Sequence, residues 1–85
     1  MGLFEVRILP SVRKDLRGIP KETVRHILGT IEKLATNPRP SGCKKLTSLN
    51  LYRLRLGSYR IVYEINDAEV LVVIVKIGHR KDVYR

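Results

Sequence analysis

The stretch Leu51-Tyr52-Arg53-Leu54-Arg55-Leu56-Gly57-Ser58-Tyr59-Arg60-Ile61-Val62-Tyr63 decides how this chain folds. On an extended strand, successive side chains point to opposite faces. Tyr52, Leu54 and Leu56 therefore share one face and Arg53 and Arg55 the other. Gly57-Ser58 suits a tight reversal. The run that follows, Tyr59–Ile65, sets Tyr59, Ile61, Tyr63 and Ile65 on one side, with Arg60, Val62 and Glu64 on the opposite side. If the two runs form a hairpin, Arg60 can join Arg53 and Arg55 on a single surface. Three guanidiniums on one small sheet face repel one another unless an anion sits among them.

Working outward, Phe4–Leu9 alternates apolar and charged residues and predicts a first strand, ended by Pro10. Ser11 can cap a short helix running to about Gly18. Pro20 suits the first position of a second helix. Val24, Ile27, Leu28, Ile31, Leu34 and Ala35 then form one apolar stripe over Pro20–Thr36. That helix stops at Asn37-Pro38, because the residue before a proline is pushed out of the helical region. Asn37–Gly42 reads as a loop. After the hairpin, Asn66-Asp67 turns the chain into a last strand, Glu69–Ile77. Its unbroken apolar run suits a central position, and Gly78 ends it. The predicted architecture is α+β, in the order β-α-α-β-β-β. Two helices pack on one face of a largely antiparallel four-stranded sheet, with the arginines on the other face.

Eighty-five residues with 44% apolar content predict a single globular domain, residues 1–85. Seventeen basic against eight acidic residues give a formal charge of +9, which calls for an anionic partner such as nucleic acid. No run approaches the ~18 apolar residues of a membrane helix, and no secretory signal is apparent. A single cysteine, Cys43, excludes an internal disulfide and suits a reducing cytoplasm. Two distant histidines and that cysteine are poor material for a metal site, so neither metal nor cofactor is expected. His26 reads as an exposed helix residue, Cys43 as a bystander, and Tyr52, Tyr59 and Tyr63 as core aromatics. Lys44, Lys45 and Lys81 read as general phosphate contacts, which set affinity without choosing a sequence.

Nearly the whole chain resembles the RelE/ParE toxin superfamily, and within it the RelE-type messenger-RNA interferases. The carriers are Lys14-Asp15-Leu16 with Ile19-Pro20, the loop Asn37-Pro38-Arg39-Pro40 through Gly42-Cys43-Lys44-Lys45-Leu46, the hairpin Tyr52–Tyr63, and the ending Gly78-His79-Arg80-Lys81-Asp82-Val83-Tyr84. The resemblance implies a cytoplasmic toxin of a type II toxin–antitoxin pair, inhibited by a cognate antitoxin. It also implies a metal-independent endoribonuclease that cuts messenger in the ribosomal A site. Arg53, Arg55, Arg60 and Arg80 fall on the family's functional basic positions and Tyr84 on its tyrosine. His79 lies where relatives carry a histidine or another basic residue. Some relatives have lysine in place of Arg53 and Arg55. A ParE-like inhibitor of DNA gyrase is the rival on the same scaffold, since fold alone does not fix function.

RNA brings its own nucleophile, the 2′-OH. Arginine forks match phosphate geometry and can stabilise the charge that builds on the phosphoryl oxygens. Arginine itself is effectively never deprotonated. Proton transfer then falls to Tyr84, whose phenolate neighbouring cations would favour, to His79, or to a ribosomal group.

Overall fold

The computed structural model describes residues 3–46 and 50–79. The elements are β1 (Glu5–Ile8), α1 (Pro10–Leu16), α2 (Lys21–Leu34), β2 (Lys44–Leu46), β3 (Leu51–Leu56), β4 (Tyr59–Asn66) and β5 (Leu71–His79). They form one five-stranded sheet in the order β1-β5-β4-β3-β2. β1 runs parallel to β5, and every other pairing is antiparallel. The fifth strand is β2, which the sequence reading left out. Three residues, Lys-Lys-Leu, carry no alternation of their own, and the strand exists through its pairing, with Lys44 opposite Arg53 and Leu46 opposite Leu51.

Both helices start differently from the expectation. Pro10 does more than end β1: it opens α1, and Leu9 takes the cap position without a side-chain hydrogen bond. Proline's fixed φ and missing N–H suit the first helical turn, which places Ser11 inside the helix. Pro20 in turn is the residue before α2, with extended ψ. Along α2 the inward stripe is Ile27, Ile31 and Leu34, while Leu28 is 41% exposed at the edge of that stripe.

Alternation sends Tyr52 and Leu54 of β3, Ile61, Tyr63 and Ile65 of β4, and Val72, Ile74 and Ile77 of β5 to one face. There they form a single core with Val12, Ile27, Ile31 and Leu34 of the helices. β5 is an inner strand, as its apolar run predicts. Its face toward the helices is the fully buried one, while Val73 and Val75 are only half-buried. It also continues through Gly78 to His79. An irregularity opposite Val62 and Tyr63 pairs Lys76 with Val62 and Ile74 with Tyr63, so Val75 is extra. Such a bulge resets which residues face the core. The β3–β4 reversal is the two-residue turn Gly57-Ser58, where Gly57 has φ +61°, a conformation glycine adopts without strain. Among the described residues, no helix is long and apolar enough to cross a membrane.

Candidate functional site

The register of the hairpin fixes the arrangement of its basic residues. Arg55 lies directly opposite Arg60, Arg53 opposite Val62, and Lys44 opposite Arg53. Directly paired residues share a face, as do residues two apart on one strand. Lys44, Arg53, Arg55 and Arg60 therefore stand together on the face turned away from the helices. Glu64 shares that face farther along β4, opposite Leu51. Arg55 and Lys44 are exposed, whereas Arg53 and Arg60 keep only 7% and 8% of their surface. Both buried arginines are engaged by contacts within the molecule. Burial next to like charge is costly for a guanidinium. It also strengthens the pull of each one on an incoming anion, because the local dielectric is low.

The other basic positions separate. Lys45 is exposed and pairs with Tyr52, so it projects from the helix-bearing side. His79 pairs with Tyr59, and the two rings meet edge to face with centroids 5.9 Å apart. His79 thus belongs to the helix-bearing side of the strand end, while its chain neighbour Gly78 lies opposite Arg60. Arg80, Lys81 and Tyr84 lie outside the described residues. His26 is exposed. Cys43 is half-buried and has no disulfide. Among the described residues, no group of three or more His, Cys, Asp or Glu converges as a metal site would require.

Arg39 was not singled out by sequence, yet it ties the loop before β2 to the sheet. Its guanidinium holds both carboxylate oxygens of Asp67, at 2.8 and 3.1 Å, and its Nε donates to the Tyr52 hydroxyl at 3.3 Å. The same group lies 5.1 Å from the Tyr52 ring centroid. Tyr52 stacks on Tyr63, and the Tyr63 hydroxyl donates to the Pro38 carbonyl at 2.8 Å. Hydrogen bonding to Arg39 lowers the Asp67 pKa, and the Asp67 carboxylate raises that of Arg39. Burial raises the Tyr63 pKa, helped by the nearby Cys43. The loop that delivers Lys44 is thereby fixed. Only the Asn-Pro-Arg-Pro composition hinted at it, since the partners are far apart in sequence.

Residues 6–84 match the family described as the ParE toxin of the type II toxin–antitoxin system parDE. The chain is 34% identical to RelE1 of Methanocaldococcus jannaschii, over 96% of each chain. It is 30% identical to toxin RelG of Mycobacterium tuberculosis, over 96% of this chain and 97% of that one. The archaeal RelE of Pyrococcus horikoshii, solved as a RelE–RelB complex, superposes with a TM-score of 0.85 at 31% identity, covering 95% of this chain and 99% of that one. A mixed sheet with two helices on one face is the fold this chain shares with that archaeal RelE. The chain belongs to the RelE/ParE superfamily, the toxins of type II toxin–antitoxin systems. Its relatives place it on the RelE side of that superfamily.

Proposed function

We propose that this toxin is a ribosome-dependent endoribonuclease that cleaves messenger RNA in the A site. The observation that carries the reading is the hairpin register, which sets Arg55 across from Arg60 with Arg53 two residues along. In the reaction the 2′-OH loses its proton and attacks the adjacent phosphorus. The O2′–P bond forms as the P–O5′ bond breaks, and the departing O5′ takes up a proton from Tyr84 or a ribosomal group, leaving a 2′,3′-cyclic phosphate and a 5′-OH. DNA lacks that hydroxyl and is not a substrate by this route. Arg60 and Arg80 are assigned to the developing phosphoryl charge, with Arg53 and Arg55 assisting and Lys44 holding the flanking backbone. Tyr84 is the chain's own candidate for the proton. His79 would have to act from the far side of the strand end, which favours Tyr84 or a ribosomal group.

The reading includes a cytoplasmic site of action and a cognate antitoxin, the latter supported by the complex of the Pyrococcus horikoshii relative with RelB. The antitoxin segment is expected to be acidic or amphipathic, to complement the +9 charge. The match to the ParE family supports one rival, inhibition of DNA gyrase. Ribosomes programmed with a defined messenger, mapped by primer extension, decide between them, with a gyrase supercoiling assay run in parallel. The expected result is a cut inside the A-site codon and unimpaired supercoiling. Intact message at saturating toxin overturns the nuclease reading.

A further inference from the structure

At the strand end that carries Arg60, a cleft of about 300 Å³ opens between the end of α1 and the end of β5. Asp15 and Ile19 form one wall, Tyr59 and His79 the other, with Lys76 at the rim. Tyr59 is the chain neighbour of Arg60 and Gly78 is its cross-strand partner. Tyr59 and His79 turn to the helix-bearing side and Arg60 and Gly78 to the other, so the cleft lies round the strand end from the cationic face, one residue along the chain. Its volume is at the lower end of small-ligand sites, enough for one flat ring system. The edge-to-face Tyr59–His79 pair supplies an aromatic wall of the kind on which nucleobases stack. Lys76 and Asp15 approach to 3.6 Å, a loose ion pair with the lysine side chain 49% and the carboxylate 29% exposed. A donor and an acceptor are thus set side by side in the cleft.

We propose that this cleft is a nucleobase subsite that prefers keto bases, guanine and uracil, over the amino bases adenine and cytosine. The ammonium of Lys76 donates to the ring carbonyl, while the Asp15 carboxylate accepts the adjacent ring N–H. Guanine adds its exocyclic amine to the same carboxylate. Adenine and cytosine present an acceptor nitrogen where the carboxylate sits, and the two repel. The biological meaning rests on the proposed action on RNA: a strand whose phosphate lies on the arginines would pass round the strand end, and the next base would enter the cleft and bias which codons are cut.

Nucleoside monophosphates test the subsite without any ribosome. Titration of the purified toxin by GMP, UMP, AMP and CMP, followed by amide NMR, should shift Asp15, Ile19 and His79 with GMP and UMP, at affinities about tenfold above those for AMP and CMP. Inorganic phosphate should shift the arginine face and leave these amides unmoved. Asp15→Asn offers a donor as well as an acceptor and should level the four nucleotides, while Tyr59→Ala should weaken all four together. Equal affinities for the four nucleotides in the wild-type toxin, or shifts confined to the arginine face, overturn the subsite. A-site cleavage with no keto preference in solution would uphold the nuclease and sink the subsite; keto preference without cleavage would do the reverse.

Discussion

On β4, Ile61 and Tyr63 are wholly excluded from water, while their neighbours Arg60 and Val62 turn to the opposite side of the same strand. One side of the sheet gathers apolar surface from four strands and two helices, and its residues are chosen for volume. The other side gathers like charge, with Arg55 across from Arg60 and Lys44 across from Arg53. That second arrangement stabilises nothing by itself, because adjacent cations repel. The two sides show that one strand can feed the core with one set of residues and gather charge with the other, with alternation keeping the two sets apart. They also single out buried Ile61 as a position that should not tolerate truncation in the free protein and exposed Arg55 as one that should.

The sharpest way to break this contrast is a paired substitution. Ile61→Ala empties a fully buried site and is expected to cost about 2–5 kcal/mol in urea denaturation. Arg55→Ala, on the exposed cationic side, is expected to leave stability within about 0.5 kcal/mol, yet to reduce A-site cleavage by about 10²-fold to 10³-fold. If Arg55→Ala unfolds the chain, or cuts as fast as wild type, the division of labour between the faces is wrong. A smaller effect is expected where the core meets the loop before β2. Tyr63→Phe removes the donor to the Pro38 carbonyl and should cost about 1–3 kcal/mol, since the abandoned acceptor stays buried. Equal urea midpoints for the two proteins would show that this hydrogen bond does not hold the loop.

Most of the fold follows from alternation and helical spacing, because residues such as Leu54, Ile61, Ile27 and Ile31 sit where period and polarity agree. The arginine face was legible for the same reason: a two-residue turn at Gly57-Ser58 leaves only one register. β2 was not legible, since Lys44–Leu46 becomes a strand through its partner alone. The side taken by His79 was hidden by a single backbone irregularity. In the run Val70–Val75 every residue is apolar, so nothing marks Val75 as the extra one. Without that bulge, His79 would have stood on the opposite face from Ile74, beside the arginines; with it, His79 turns toward Tyr59. Arg39 escaped notice because its partners, Tyr52 and Asp67, come together only in the folded chain.

The smallest expected effect concerns that clamp. The Asp67 pKa is lowered in the folded protein by Arg39. Its contribution to stability is therefore present above the unfolded carboxyl pKa of about 4 and is lost as pH falls through the lower folded value. Asp67→Asn should flatten the acid limb of thermal unfolding between neutral pH and pH 3, and do so less at high salt. An unchanged acid limb would remove Asp67 from the account.

The parallel pairing of β1 with β5 has a consequence for the timing of synthesis. Glu5 must wait for Leu71 before it gains its neighbour, and closing so long a loop delays folding relative to the local β3–β4 hairpin. Pairing of β3 with β4 can therefore begin while the opening segment still lacks its partner, so β1 is the last strand to find its place in the sheet.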